Sequence, residues 1–136
     1  MLKVVFDTNV IISAALTEEG LPALLLSLTL GGKVSPFISP ALIKEYQMVL
    51  DRPRFKFDPE EVKGLIEKIN QKATLVQPTE TLSILNDEPD NRILECALKA
   101  KADFIITGNK KHFPFTEFKG IEIVTPREFI SKIREI

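Results

Sequence analysis

The chain has 136 residues, which suits one domain spanning 1–136 and buries about two-thirds of the unfolded surface on folding, so neither a disulfide nor a metal is needed for a core. Hydrophobic residues make up 44% and charged residues 27%, with a net charge of −1; this excludes a disordered chain and a broadly basic surface, so a polyanion would have to meet a local basic patch or bound cations. Cys96 is the one cysteine, which excludes an internal disulfide and zinc-cluster spacings; with no apolar run of membrane-spanning length and no leader pattern ahead of the first strand, a cytoplasmic location without membrane contact is expected.

The apolar run Leu2 to Phe6 predicts a first strand buried on both faces. Asp7-Thr8-Asn9 are helix-capping types, and Val10 to Leu16 follows as a short helix. Pro22 suits a first helical turn, Ala23 to Leu30 continues a second apolar helix, and Gly31-Gly32 stops it. Lys33 to Ile38 reads as a second strand despite Pro36. Ser39-Pro40 caps and opens a helix over Ala41 to Leu50, which Arg52-Pro53 breaks. Asp58-Pro59-Glu60-Glu61 starts another, with Val62, Leu65, Ile66 and Ile69 on one face, and Ala73 to Val76 forms a short third strand. After a polar irregular stretch, Asp90 is expected to cap a helix whose stripe is Ile93, Leu94, Ala97 and Leu98. Asp103 to Thr107 is a fourth strand, Ile121 to Val124 a fifth, and Pro126 begins a final helix that buries Phe129, Ile130 and Ile133. Strands alternating with helices predict an α/β fold of three layers, α/β/α, with a central parallel sheet of about five strands and strands one and four adjacent.

On that map, acids and an amide fall where ligands bind in open α/β sheets, outside the carboxyl ends of the strands. Asp7 ends strand one and is either a helix cap or a ligand; Thr8 or Asn9 would serve as cap equally well. Glu45 flanks the apolar stripe of its helix, beside Leu42 and Val49, either as a solvated edge glutamate or as a partly desolvated carboxylate that wants a cation. Asp87-Glu88-Pro89-Asp90 places three acids before a helix. A helix N-terminus favours acids, yet one is enough to cap it, and a divalent cation would offset the mutual repulsion of three. Asn109, after strand four, is either a turn residue or a carbonyl ligand. Oxygen-only ligands suit Mg²⁺ or Mn²⁺, ions that activate water and stabilise an in-line displacement at phosphorus. Crowding should raise the pKa of at least one of these carboxylates. The segment Arg52-Pro53-Arg54-Phe55-Lys56-Phe57 offers phosphate contacts and a base-stacking ring, or else is a loop with its phenylalanines packed inward. Lys110 and Lys111 are further candidate phosphate contacts. His112 is a candidate proton donor or phosphate contact, or an incidental surface imidazole beside Phe113. Cys96 reads as a packing residue.

The ordered set Val4-Val5-Phe6-Asp7-Thr8-Asn9-Val10, then Pro40-Ala41-Leu42-Ile43-Lys44-Glu45, then Asp90-Asn91-Arg92-Ile93-Leu94-Glu95-Cys96-Ala97, then Ile105-Ile106-Thr107-Gly108-Asn109-Lys110-Lys111-His112-Phe113 resembles the PIN-domain family over essentially the whole chain. Within it, and with support from Val49-Leu50-Asp51-Arg52-Pro53-Arg54-Phe55, the chain looks most like compact prokaryotic members that act as toxins of toxin–antitoxin pairs, relatives of the VapC toxins. The resemblance implies a flavodoxin-like sheet and a Mg²⁺- or Mn²⁺-dependent ribonuclease acting on single-stranded RNA. It puts metal-binding acids at Asp7, Glu45 and Asp90 and a fourth site position, commonly aspartate and sometimes asparagine, at Asn109. It makes Thr107 a hydroxyl that orients Asp7 or a water, and implies a small antitoxin partner and a homodimer. A further acid often stands in the family where this chain has His112, so the negative charge is thinned.

Two other classes compete. One is a PIN-fold nucleic-acid-binding module whose cleavage is weakened by Asn109 and His112. The other is a phosphoryl-transfer protein of the receiver or haloacid-dehalogenase type, also with an aspartate after strand one. Asp7-Thr8-Asn9 lacks the second acid that the dehalogenase pattern requires, and no strand-end lysine matches a receiver.

Overall fold

A computed structural model describes residues 1–17 and 19–134. The strands are β1 Lys3–Phe6, β2 Ser35–Ile38, β3 Thr74–Leu75, β4 Phe104–Ile106, β5 Glu117–Phe118 and β6 Ile121–Val124. The helices are α1 Thr8–Leu16, α2 Leu21–Leu30, α3 Pro40–Leu50, α4 Pro59–Lys72, α5 Glu88–Ala100 and α6 Pro126–Arg134, with 3₁₀ turns at Pro53–Phe55 and Lys110–His112. They build a three-layer α/β/α arrangement around a six-stranded sheet of order β3-β2-β1-β4-β6-β5. Strands one and four are adjacent and parallel, with Val5 opposite Ile105. All pairings are parallel except β5 with β6.

The centre of the sheet is the driest part, because its strands are covered on both faces. Val4, Val5, Ile105 and Ile106 are fully buried, and α5 lies over β1, β2 and β4 with Leu94, Cys96 and Ala97 equally buried. Burying each large aliphatic side chain contributes roughly 1.5–3 kcal/mol before the entropy of ordering is subtracted. Pro36 is tolerated within β2 because β3 pairs only with Phe37 and Ile38, beyond the proline. Ser39 caps α3 by accepting a hydrogen bond from the Leu42 amide at 3.1 Å, and Pro40 takes the first helical position. No single helix among the described residues is long and apolar enough to cross a membrane.

Two expectations need correction. The sheet has a sixth strand, β5, a two-residue antiparallel hairpin partner of β6 too short for any periodicity to show. Helix α5 begins at Glu88, earlier than a cap at Asp90 would allow: Asp87, not Asp90, holds the N-cap position, and Asp90 lies inside the first turn. Pro89 explains the shift, since proline is at home in a first helical turn, where its missing N–H is not needed.

Candidate metal and active site

The site forms where β1 and β4 end side by side. The Asp7 amide donates to the carbonyl of Ile106 at 2.9 Å, which carries the β1–β4 ladder one step past the strands and fixes the Asp7 backbone. Asp7 occupies the N-cap position of α1, yet its side chain makes no capping bond. Its Oδ2 instead accepts from the Thr107 hydroxyl at 2.8 Å and from the Asn9 amide nitrogen at 3.3 Å. Thr107 is fully buried, so that hydroxyl is committed to orienting Asp7. Asn9 in turn accepts from the Gly108 amide at 2.9 Å, joining α1 to the loop after β4. A Cβ at Gly108 would stand 3.2 Å from Asn9 Oδ1, so glycine permits this close approach. Neither Thr8 nor Asn9 replaces Asp7 at the N-cap position.

Helix α5 delivers the second carboxylate. Asp90 is 6% exposed, and its carboxyl is pushed up to about 6, chiefly by burial and then by the negative charges of Asp7 and Asp87. Helix α3 brings the third: Tyr46 is buried and donates its hydroxyl to the carbonyl of Phe6, pinning α3 against the end of β1. Partly buried Glu45, its neighbour, thereby joins Asp7 and Asp90 in lining one cavity of about 450 Å³. His112, on the 3₁₀ turn after β4, completes the rim, with Nδ1 3.6 Å from Asp7 Oδ2 and 3.8 Å from Asp90 Oδ1.

The other sequence candidates divide. Thr8, Asn9, Arg52, Arg54 and Phe55 line the cavity with the carboxylates. The Arg54 guanidinium lies over the Phe55 ring at 4.8 Å, and Phe55 and Phe57 are partly buried against the core, so the segment both packs inward and faces the site. Lys110 is drawn aside by Glu128 on α6, at 3.2 Å, whereas Lys111 lines an adjoining cavity with Asp87, Asp90 and His112. Asn109 is exposed, and its side-chain oxygen accepts from the Lys111 amide at 3.1 Å, capping the 3₁₀ turn; it is not among the residues that line the carboxylate cavity. Cys96 is buried and its thiol is pushed up to about 12 by that burial, so it is an inert packing residue.

Sequence reasoning missed the clamp that holds the loop before α5. Buried Asn91 accepts from the Leu85 amide at 2.8 Å and donates to the Leu85 carbonyl at 2.9 Å. Glu95 accepts from the Leu82 amide at 2.7 Å and pairs with Arg92 at 2.8 Å. A buried Asn and a buried Glu on the inner side of a helix are the signal, visible once α5 is phased by Ile93, Leu94 and Ala97.

The donor set fits a divalent cation. One ligand atom from each of Asp7, Asp90 and His112 lies within 4.8 Å of the others. Two buried carboxylates so close repel one another, and a cation between them would offset both that repulsion and the desolvation.

A parallel α/β sheet with carboxylates gathered at the ends of its central strands defines a class of acidic, cation-binding sites at a topological switch point. The PIN domain model matches residues 3–111, and the chain belongs to the PIN-domain family. An uncharacterised protein of Methanocaldococcus jannaschii is 27% identical over 146 residues, spanning 98% of this chain and 93% of that protein. The crystal structure of VapBC2 from Rickettsia felis, bound to a DNA fragment from their promoter, contains a chain of the same fold. It superposes with a TM-score of 0.62 at 15% identity, covering 91% of this chain and 98% of that one.

Proposed function

We propose that the chain is a metal-dependent endoribonuclease of the VapC-like toxin type. The observation that carries this reading is the convergence of Asp7, Glu45 and Asp90 on one cavity whose rim also bears Arg52 and Arg54. Asp7 and Asp90, with Glu45 beside them, would hold Mg²⁺ or Mn²⁺, and such an ion, when bound, lowers the pKa of water and offsets charge on a phosphate. Thr107 and Asn9 hold the Asp7 carboxylate in one orientation through bonds to its Oδ2. Arg52 and Arg54, which line the same cavity, would contact the RNA backbone phosphates. Phe55, already stacked under Arg54, offers an apolar face to a base of single-stranded RNA. A small antitoxin partner fits this reading through the likeness to a VapBC2 complex, and a homodimer through the resemblance to compact family members.

The test is cleavage of a panel of single-stranded RNAs by wild type, Asp7→Asn and Asp90→Asn, each with Mn²⁺, Mg²⁺ or EDTA. Cleavage should need the divalent ion and fall by at least about 100-fold in both variants, the scale on which loss of one charge-stabilising group is felt. Metal-free Asp7→Asn should be as stable as wild type or more so, since it removes repulsion with Asp90. Cleavage that persists in EDTA sinks the nuclease reading. Tight RNA binding with no cleavage under any metal favours the binding module instead, a reading that the capping role of Asn109 supports because it leaves the cavity one ligand poorer.

A further inference from the structure

We propose that His112 is a nitrogen ligand of the ion held by Asp7 and Asp90, giving this centre a mixed oxygen–nitrogen donor set that favours Mn²⁺ over Mg²⁺; the inference rests on the metal-site reading above. The spacing is the first argument. His112 Nδ1 lies 3.6 Å from Asp7 Oδ2 and 3.8 Å from Asp90 Oδ1. Both distances are long for an N–H···O hydrogen bond, which peaks at about 2.9–3.0 Å. They fall within the range spanned by atoms that share an ion: with bonds of about 2.1 Å, octahedral ligands stand about 3.0 Å apart when adjacent and about 4.2 Å when opposite. One ligand atom from each of Asp7, Asp90 and His112 lies within 4.8 Å of the others, close enough to converge on one ion.

The second argument is that the backbone delivers this imidazole from a built turn. Asn109 caps the 3₁₀ turn with its side chain, the His112 amide donates to the Asn109 carbonyl at 3.2 Å, and Phe113 is buried immediately after. Asn109 itself is tied back to Thr107, the residue that orients Asp7, through its amide at 3.1 Å. One short loop thus fixes Asp7 and His112 together. The Asn109 side chain is used inside that loop, and a residue three positions later faces the carboxylates in its place.

The chemistry follows from donor type. Carboxylate and water oxygens serve Mg²⁺ and Mn²⁺ alike, whereas imidazole nitrogen favours the transition ions. The test uses the full-length protein stripped of metal and reloaded with Mn²⁺ alone. Pulsed electron paramagnetic resonance should show imidazole ¹⁴N modulation in wild type and none in His112→Gln. Competition titrations should show Mn²⁺ affinity falling by at least about tenfold in His112→Gln, the loss expected even for groups that only orient ligands, while Mg²⁺ affinity changes less. Mn²⁺ bound without ¹⁴N coupling, or an unchanged Mn²⁺-to-Mg²⁺ ratio in the variant, overturns the inference and leaves the metal-site reading standing. Failure of wild type to bind Mn²⁺ at all overturns both.

Discussion

Asp90 is a buried acid held among other acids, and its titration couples to folding. Its carboxyl is raised from 3.8 to about 6, by burial first and then by Asp7 and Asp87. Between those values the folded state keeps a proton that the unfolded state has released. The free energy of unfolding therefore falls as pH rises from about 4 to about 6, by roughly 1–3 kcal/mol from this group, and is level above. Asp90→Asn should remove that loss. Urea denaturation of metal-free protein should show the variant gaining more on wild type at pH 7 than at pH 4.5; an equal difference at both would show that Asp90 is not strained by its charge. Thr107 makes the complementary case. Thr107→Val keeps the shape but takes a buried hydrogen bond from Asp7, so it should cost about 1–3 kcal/mol. It should also weaken Mn²⁺ binding, and thermal melts with a Mn²⁺ titration separate the two effects.

At the scale of elements, α5 positions the site through the clamp on its preceding loop. Asn91→Ala would leave the Leu85 amide and carbonyl unpaired in a buried place, and should cost about 2–4 kcal/mol. Hydrogen exchange at the Leu85 amide should quicken well before exchange in the β1–β4 ladder does; simultaneous loss of protection in both would mean that the clamp is part of the global core. The helices and central strands were legible because their apolar spacing is long enough to phase: the third helix runs Pro40–Leu50 against an expected Ala41 to Leu50, and the last strand is found where Ile121 to Val124 was read. The start of α5 was not, because three acids offer themselves as caps and only Pro89 discriminates. Asp7 and Asp90 stood out because they fall at a strand end and a helix start. The imidazole of His112 and the capping use of Asn109 depend on a three-residue turn with no period of its own, and only the assembled loop reveals which of them faces the carboxylates.

For the whole molecule, the site and the fold should report on each other. Only the folded chain brings Asp7, Glu45 and Asp90 together, so Mn²⁺ should raise the melting temperature in proportion to its occupancy. The rise should be larger at pH 7.5 than at pH 5.5, because Asp90 must lose its proton to serve as a ligand. Differential scanning calorimetry at the two pH values, with and without millimolar Mn²⁺, checks this; a shift of equal size at both would detach Asp90 from the metal.

The sheet ends in two very short strands: β3 on one side and β5 on the other have two residues each. An extended chain arriving from another molecule would find only a few open amide and carbonyl groups at either border. Amyloid-like stacking through strand addition therefore has little to grow on, even though the strands within are strongly apolar. Association between copies is left to helical surfaces, and on α1 and α2 the side chains of Leu16 and Leu24 already stand open to solvent.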